Sequence, residues 1–364
     1  MIPKELIFEI FLRLPGKDLV RFRCLSKEIC QEIHSSSFNL NRSNKAKTHR
    51  KLFVYDKSAE DKRGLYVADV DEEDEVSKLA NPLNPDGCLI RDGFDVYGSC
   101  NGLLLLYNNK TRKVYDVDEV YSWLLLNPFT RKFKKVIACP GESEILEYCQ
   151  TLFGFGYDSS RNDYKLVQII RPYDWKENHD DVEIWVFSFA SNTWRKLQTV
   201  PFYHDKNFPL GHDQIGVFAD GALHWLSEGI INHEIITFDL SNKVFVNLFH
   251  SLRRPRCVGF LLAIGGTLAL LLRDIKRLND VELYLAVKCG EHYNWTKLYN
   301  ISLELCHCSI LTPAILTVMK RSNNKILVPF SDTVAQRGFG GGRCWVTFCL
   351  ETLVWPAGTD SSSL

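Results

Sequence analysis

GSCNGLLLLY (98–107), GVFADGALHWL (216–226) and LAIGGTLALLL (262–272) are three forms of one device: an apolar strand, a two-residue turn and a leucine-rich strand. Asn101-Gly102, Asp220-Gly221 and Gly265-Gly266 are the residue pairs that a tight hairpin turn with positive φ selects. A second device recurs about half a repeat later, in NPFTRKFKKV (127–136), SNTWRKLQTV (191–200), LSNKVFVNLF (240–249) and EHYNWTKLYNI (291–301). There a polar turn leads into an aromatic residue and an edge-like strand rich in lysine. The copies lie roughly 50 residues apart, the size of one four-stranded propeller blade. Five copies are clear, and a weaker sixth is spread over both ends of the chain.

Working outward, short β-branched and aromatic runs extend from KLFVYD (51–56) to WVTFCL (345–350), punctuated by Gly, Asn and Asp. They read as roughly twenty strands at hairpin spacing. A single sandwich holds too few strands for that, and the repeat selects a β-propeller of about six blades over a large barrel. The expected fold is mainly β, with residues 51–358 in the propeller and 359–364 a disordered tail. Residues 41–50 are polar and basic and read as a linker.

The first forty residues follow a different period. Pro3 suits the start of a helix. Leu6, Ile10 and Leu14 recur at four-residue spacing, with Ile7 and Phe11 beside them, giving one apolar stripe. Pro15-Gly16 ends that helix, a second carries Leu19, Val20 and Phe22, and Ser26 caps a third carrying Ile29 and Ile33. Forty residues cannot bury all of this apolar surface alone, so the stripe needs a partner.

Two resemblances attach to these stretches. The order Ile2-Pro3, Glu5-Leu6, Ile10, Arg13-Leu14-Pro15, Lys17, Leu19 and RFRCLSK (21–27) resembles an F-box. That family's module docks on the Skp-type adaptor of a cullin–RING ubiquitin ligase. Ile29 stands where the family usually places a tryptophan, and Ile2 where leucine is commoner. The run of GSCNGLLLL, LLLNPFTRKFKKV, FGFGYDSSRNDYKLVQI, VEIWVFSFASNTWRKL, GVFADGALHWL and IITFDL resembles the kelch-like F-box-associated domain of plant F-box proteins over residues 95–300. Its texture is also similar to the S-locus F-box group. The resemblance implies adaptor contacts by Ile2, Pro3, Leu6, Ile10, Leu14, Pro15, Leu19, Val20 and Cys24, with the cullin scaffold reached through the adaptor. It further implies a protein target held by the propeller.

The 364 residues carry 44 basic and 44 acidic side chains, so bulk attraction to nucleic acid or anionic lipid is not expected. The charge is uneven, however. Residues 1–50 hold ten Lys/Arg against five Asp/Glu, and residues 56–95 five against twelve. Asp71, Glu72, Glu73, Asp74 and Glu75 are the candidate steering residues for a basic target, such as a ribonuclease. The twelve cysteines lie largely in apolar runs and no leader segment is apparent, so thiols in a reducing cytoplasmic or nuclear setting are expected. FLLAIGGTLALLL (260–272) is too short to span a bilayer.

Other groupings read as structure. Cys306-His307-Cys308 lacks the second pair that zinc requires. RGFGGGR (337–343) lacks the Lys-Ser/Thr of a phosphate loop, and Gly154-Phe155-Gly156 opens no helix. His179-Asp180-Asp181 and His212-Asp213 have no nucleophile in an activating turn beside them. Trp185, Trp194, Trp225, Trp295 and Trp345 follow the blade pattern and are expected to pack. No cofactor, metal or catalytic residue is implied. The function expected is a non-catalytic substrate receptor of a ubiquitin ligase. The alternatives are a self-incompatibility factor recognising ribonucleases and, in another class, a propeller enzyme or lectin with a helical cap.

Overall fold

The structure is a computed structural model. It describes residues 3–14, 16–35, 38, 50–56, 64–69, 76–78, 94–108, 121–128, 130, 132–142, 149–172, 182–197, 214–228, 232–253, 257–264, 266–274, 280–289, 292–302, 344–350 and 362–363. The chain divides into two compact units, Met1–Ile137 with Ala335–Leu364, and Ala138–Val334.

The first unit opens with three helices, α1 (Lys4–Phe11), α2 (Gly16–Phe22) and α3 (Lys27–His34). Pro3 is extended, and its carbonyl accepts the amides of Leu6 and Ile7 at 3.1 and 3.2 Å, which starts α1. The helix ends at Phe11, earlier than the Leu6–Ile10–Leu14 stripe implies. Arg13 and Leu14 donate to the carbonyls of Ile10 and Phe11, closing the last turn tightly and turning Leu14 out of the stripe. Ser26 caps α3 as expected, its Oγ accepting the Ile29 amide at 3.1 Å. Phe11, Leu12, Leu19, Ile33 and Phe38 form a small buried core, with Phe11 stacked on Phe22 and Phe8 edge-on to Phe38.

Among the described residues, two sheets accompany these helices in the first unit. Arg50–Asp56, Gly64–Asp69 and Val76–Lys78 form a meander that Cys344–Leu350 joins antiparallel, so strands from both ends of the sequence share one sheet. This is the weak sixth repeat foreseen across the two ends. Phe94–Cys100, Leu103–Asn108, Tyr121–Asn127 and Lys132–Ile137 form the other meander. Leu103–Leu106 are buried on both faces, which is why that strand reads as an unbroken apolar run. Ser362 and Ser363 pair with Phe133 and Lys132 as a short fifth strand. This corrects the expectation of a wholly disordered tail at 359–364: small hydroxyl residues fit an open sheet edge through backbone bonds alone.

Among the described residues, the second unit shows three four-stranded antiparallel meanders. The first is Cys149–Asp158, Asp163–Pro172, Glu183–Ser188 and Thr193–Lys196. The second is Gln214–Ala219, Ala222–Glu228, Asn232–Asp239 and Val244–Arg253. The third is Cys257–Ile264, Thr267–Asp274, Asp280–Cys289 and His292–Ser302. The leading strands of the first two run parallel, pairing Leu152 with Gln214 and Gly154 with Gly216, as neighbouring blades do at their inner edges.

Apolar side chains fill the space between successive meanders. Leu152, Val167 and Ile184 of the first meet Leu223, Trp225 and Phe238 of the second. Leu226 and Ile235 of the second meet Leu268, Leu270 and Tyr284 of the third. Trp225 is the keystone: its indole Nε1 donates to the Phe153 carbonyl at 2.9 Å across the first junction. A Cβ on Gly216 would lie 2.6 Å from that indole, and one on Gly154 would lie 2.7 Å from Leu223. The glycines of the FGFG run therefore make room for a neighbouring blade's core.

Candidate protein-interaction surfaces

The helical module packs its core on one side and leaves a second apolar face open. Leu6 is 55% exposed, Ile10 51% and Leu25 62%, although each is a side chain that normally seeks burial. Leu6 and Ile10 are one helical turn apart and share a face. Pro3 and Cys24 are also exposed. Leu19 is different. It is fully buried with Phe11 and Ile33, so it supports the module from within and forms no part of the exposed face. Leu14 is half-buried against the same core, as is Ile29, whose smaller side chain fills the inner side of α3. Leu25 was missed in the sequence, because it follows α2 and obeys no helical period. Ile2 and Pro15 lie outside the described residues, as does the Val20 side chain.

Turns of two recurring kinds close the hairpins within each unit. Asn101-Gly102 and Asp220-Gly221 both have positive φ at each position, 49° and 81°, then 50° and 80°, as the hairpin reading required. Three turns of the second device, and the Asp158–Asp163 turn between the first two strands of the first meander, close in a consistent way. Asn127 Oδ1 accepts the Thr130 amide, Asp158 Oδ1 the Ser160 amide, Ser188 Oγ the Ser191 amide, and Asp239 Oδ1 the amides of Ser241 and Asn242. Four residues beyond Asp158, Ser188 and Asp239, the backbone turns left-handed at Asn162, Asn192 and Lys243. Short polar side chains that bond their own backbone are what such turns select.

Charge is concentrated on these turns in the second unit. Burial raises the Asp158 carboxyl, but hydrogen bonds from Ser160, Arg161 and Ser241 outweigh it and hold the group below the usual range. Arg161 Nη1 donates to Asp158 Oδ2 at 3.2 Å and to the Ser241 carbonyl at 2.7 Å, joining a turn of the first meander to one of the second. Asp163, nearly fully buried, accepts Lys165 Nζ, Ser188 Oγ and the Ala190 amide.

The tryptophans behave as packing. Trp225 is core, and Trp295 packs on the junction of the second and third meanders. Trp185 and Trp194 are half-buried beside Cys139 and Ile170. Trp185 Nε1 donates to Glu183 Oε2 at 2.8 Å, and Lys196 Nζ reaches the same carboxylate at 2.5 Å. The Trp345 side chain, Cys306-His307-Cys308, Arg337–Arg343, His179–Asp181, His212-Asp213 and Asp71–Glu75 lie outside the described residues. Among the described residues no group of His, Cys, Asp and Glu could hold a metal, and no helix is long and apolar enough to cross a membrane. Cys24, Cys30, Cys100, Cys139 and Cys257 are not disulfide-bonded.

A helical module with an open apolar face, followed by blade-like β meanders, defines a two-part binding protein. Residues 1–41 match the F-box domain, and residues 33–347 match the F-box associated beta propeller domain. The chain belongs to the F-box proteins that carry this propeller. F-box protein CPR1 of Arabidopsis thaliana is 30% identical over 372 residues, covering 91% of this chain and 80% of the relative. An F-box/kelch-repeat protein of the same plant is 26% identical over 320 residues, covering 82% of this chain and 79% of the relative. A solved propeller, that of Dos1, aligns with 60% of this chain and 51% of its own at a TM-score of 0.30 and 11% identity, too distant to carry any argument.

Proposed function

We propose that the protein is the substrate receptor of a cullin–RING ubiquitin ligase, holding a Skp-type adaptor through its F-box and a target protein through its propeller. The observation that carries this reading is the exposure of Leu6, Ile10 and Leu25 on a module that buries Phe11, Leu12, Leu19, Ile33 and Phe38 in a core of its own. Covering such side chains stabilises a complex by roughly 1.5–3 kcal/mol each. Pro3 and Cys24 are exposed in the same module, and the family pattern adds Ile2, Pro15 and Val20 as expected adaptor contacts. The receptor does no bond chemistry. It raises the effective concentration of a target lysine beside the ubiquitin-charged enzyme. The setting that suits this role is the cytoplasm or nucleus, which a fluorescent fusion of the full chain would locate.

The test is affinity capture with the proteasome blocked, read by quantitative mass spectrometry for the intact chain and a Leu6→Ser/Ile10→Ser variant. Adaptor and cullin peptides should be present only with the intact chain. Target proteins should be captured by both and carry ubiquitin only with the intact chain. Adaptor captured equally by both forms would refute the reading.

The self-incompatibility reading, with a basic ribonuclease as target, rests on the similarity to the S-locus F-box group, and the acidic excess of residues 56–95 would steer such a target. Replacing Asp71, Glu72, Glu73, Asp74 and Glu75 with Ser should then slow ribonuclease association at low salt only, since such steering is screened over about 8 Å at physiological ionic strength. Equal rates in both forms would remove that reading.

A further inference from the structure

Lys243 is out of place by two independent measures. It adopts a left-handed backbone, φ 58°, at the turn position that Asn162 and Asn192 fill in the first meander. Asparagine tolerates that conformation because its short side chain can bond its own backbone, which a lysine side chain does not do; the Lys243 amide donates to the Asp239 carbonyl at 2.9 Å, as the turn requires of any residue there. The side chain is also crowded by like charge. Burial depresses its ammonium group most, and Arg161, Lys165 and Arg195 depress it further, with Asp158 opposing. A strained backbone and a repelled charge at one residue are costs that hairpin closure does not require, and such costs gather at functional positions.

The neighbourhood holds this arrangement rigidly. Arg161 is fixed by the Ser241 carbonyl at 2.7 Å and by Asp158, while Ser241 Oγ donates to Asp158 at 3.1 Å, so the Arg161 turn and the Lys243 turn cannot drift apart. The nearby carboxylates are turned inward and occupied. Asp158 accepts from Ser160, Arg161 and Ser241. Asp163 accepts from Lys165, Ser188 and Ala190, and Asp239 from Ser241 and Asn242. Among the described residues, no carboxylate forms an ion pair with Arg195 or Lys243. Arg161 and Arg195 are exposed, with the polar side chains of Ser159, Asn162 and Asn242 exposed nearby in the same turns.

We propose that Arg161, Arg195 and Lys243 form a docking point for an acidic segment of the captured protein, whose carboxylate or phosphate oxygens supply the missing counter-charge. This rests on the reading of the chain as a substrate receptor and names the chemistry of the target. Because Arg161 already ties its own turn to the Lys243 turn, little ordering of these two remains to oppose binding, and guanidinium groups can grip planar anions through paired N–H donors. Nucleic acid would offer a similar charge, but stacking on exposed aromatic faces normally accompanies it. The aromatic side chains of these turns, Tyr157, Tyr164 and Trp194, are instead engaged in ring contacts with their neighbours.

The experiment measures binding of fluorescent probes to the full chain by anisotropy at low and high salt. The probes are an octaglutamate peptide, a phosphoserine peptide, a glycine–serine octamer and a short DNA duplex. One or both acidic peptides should bind more tightly than the neutral octamer, and lose affinity as salt rises. The tighter of the two identifies carboxylate or phosphate as the source. Lys243→Asn should weaken that binding roughly fivefold and Arg195→Ser/Lys243→Asn roughly 25-fold. Lys243→Asn should at the same time raise the unfolding temperature, because asparagine relieves the backbone strain, and so a purely structural role is separated from a binding one. Acidic peptides bound no better than the neutral octamer, binding unchanged by Lys243→Asn, or DNA bound more tightly than either peptide would each overturn the proposal. Adaptor capture by the same chain reports the receptor reading separately, so the two can fail independently.

Discussion

His224 offers a test of how tightly the second meander is packed. It is fully buried in the strand Ala222–Glu228, and burial pushes its pKa from 6.5 down to about 4, with only the Ala219 carbonyl opposing. Nε2 lies 3.2 Å from that carbonyl, which can only accept, so Nε2 carries the hydrogen. Nδ1 then accepts from Thr237 Oγ1 at 2.9 Å. The neutral ring is thus fully satisfied, and protonation would place a charge and a surplus donor in the core. In the unfolded chain the same ring titrates near 6.5. The unfolded state therefore binds more protons between about pH 6.5 and pH 4, and stability is full above pH 6.5 and lost as pH falls through that window. A shift of about 2.5 units corresponds to about 3 kcal/mol. The assay is urea unfolding at several pH values from 7.5 to 4 for the intact chain and for His224→Gln, a neutral replacement. The gap between the two curves should narrow or reverse by about 3 kcal/mol across the window. Parallel curves would refute the reasoning, because they would mean the ring is reached by water or already charged.

Other consequences follow from the packing. Gly216→Ala should destabilise the second unit by about 2–3 kcal/mol, since a methyl there overlaps the Trp225 indole, and calorimetry should show the loss. Ser26→Ala should cost the helical module about 1 kcal/mol by removing the cap on Ile29, seen as faster amide exchange in α3. Alkylation under denaturing, non-reducing conditions should add twelve adducts, one per cysteine, as the lack of disulfides at Cys24, Cys30, Cys100, Cys139 and Cys257 leads one to expect. A count short by two would indicate a disulfide.

Much of the fold was legible because turn chemistry is local. Asn101-Gly102 and Asp220-Gly221 announce left-handed turns through their own side chains, and the strands between them follow from spacing. Lys132–Ile137 and Ala222–Glu228 begin at the residues the sequence indicated. What stayed hidden depends on contacts remote in sequence. Nothing near Gly216 shows that Trp225 needs its space, and nothing near His224 shows that Thr237 and Ala219 satisfy it. The interaction face was legible only in part for the same reason. A four-residue period assigns Leu6, Ile10 and Leu14 to one stripe, but α1 stops at Phe11, and Leu14 turns inward. Leu19 matches the family pattern and is spent in the core, whereas Leu25, in an irregular turn, is open. Nothing in the sequence marks Lys243, because its left-handed backbone and its cationic neighbours are set by the fold.

The central claim is that the open face of the helical module holds a Skp-type adaptor, and its most direct measurement is the affinity of purified adaptor for the full chain. Leu6, Ile10 and Leu25 are each more than half exposed, so changing all three to serine should leave the fold's unfolding temperature unchanged. Losing three buried apolar contacts at roughly 1.5 kcal/mol or more apiece should weaken adaptor binding by at least a thousandfold. Adaptor binding by the folded triple variant with undiminished affinity would contradict the claim.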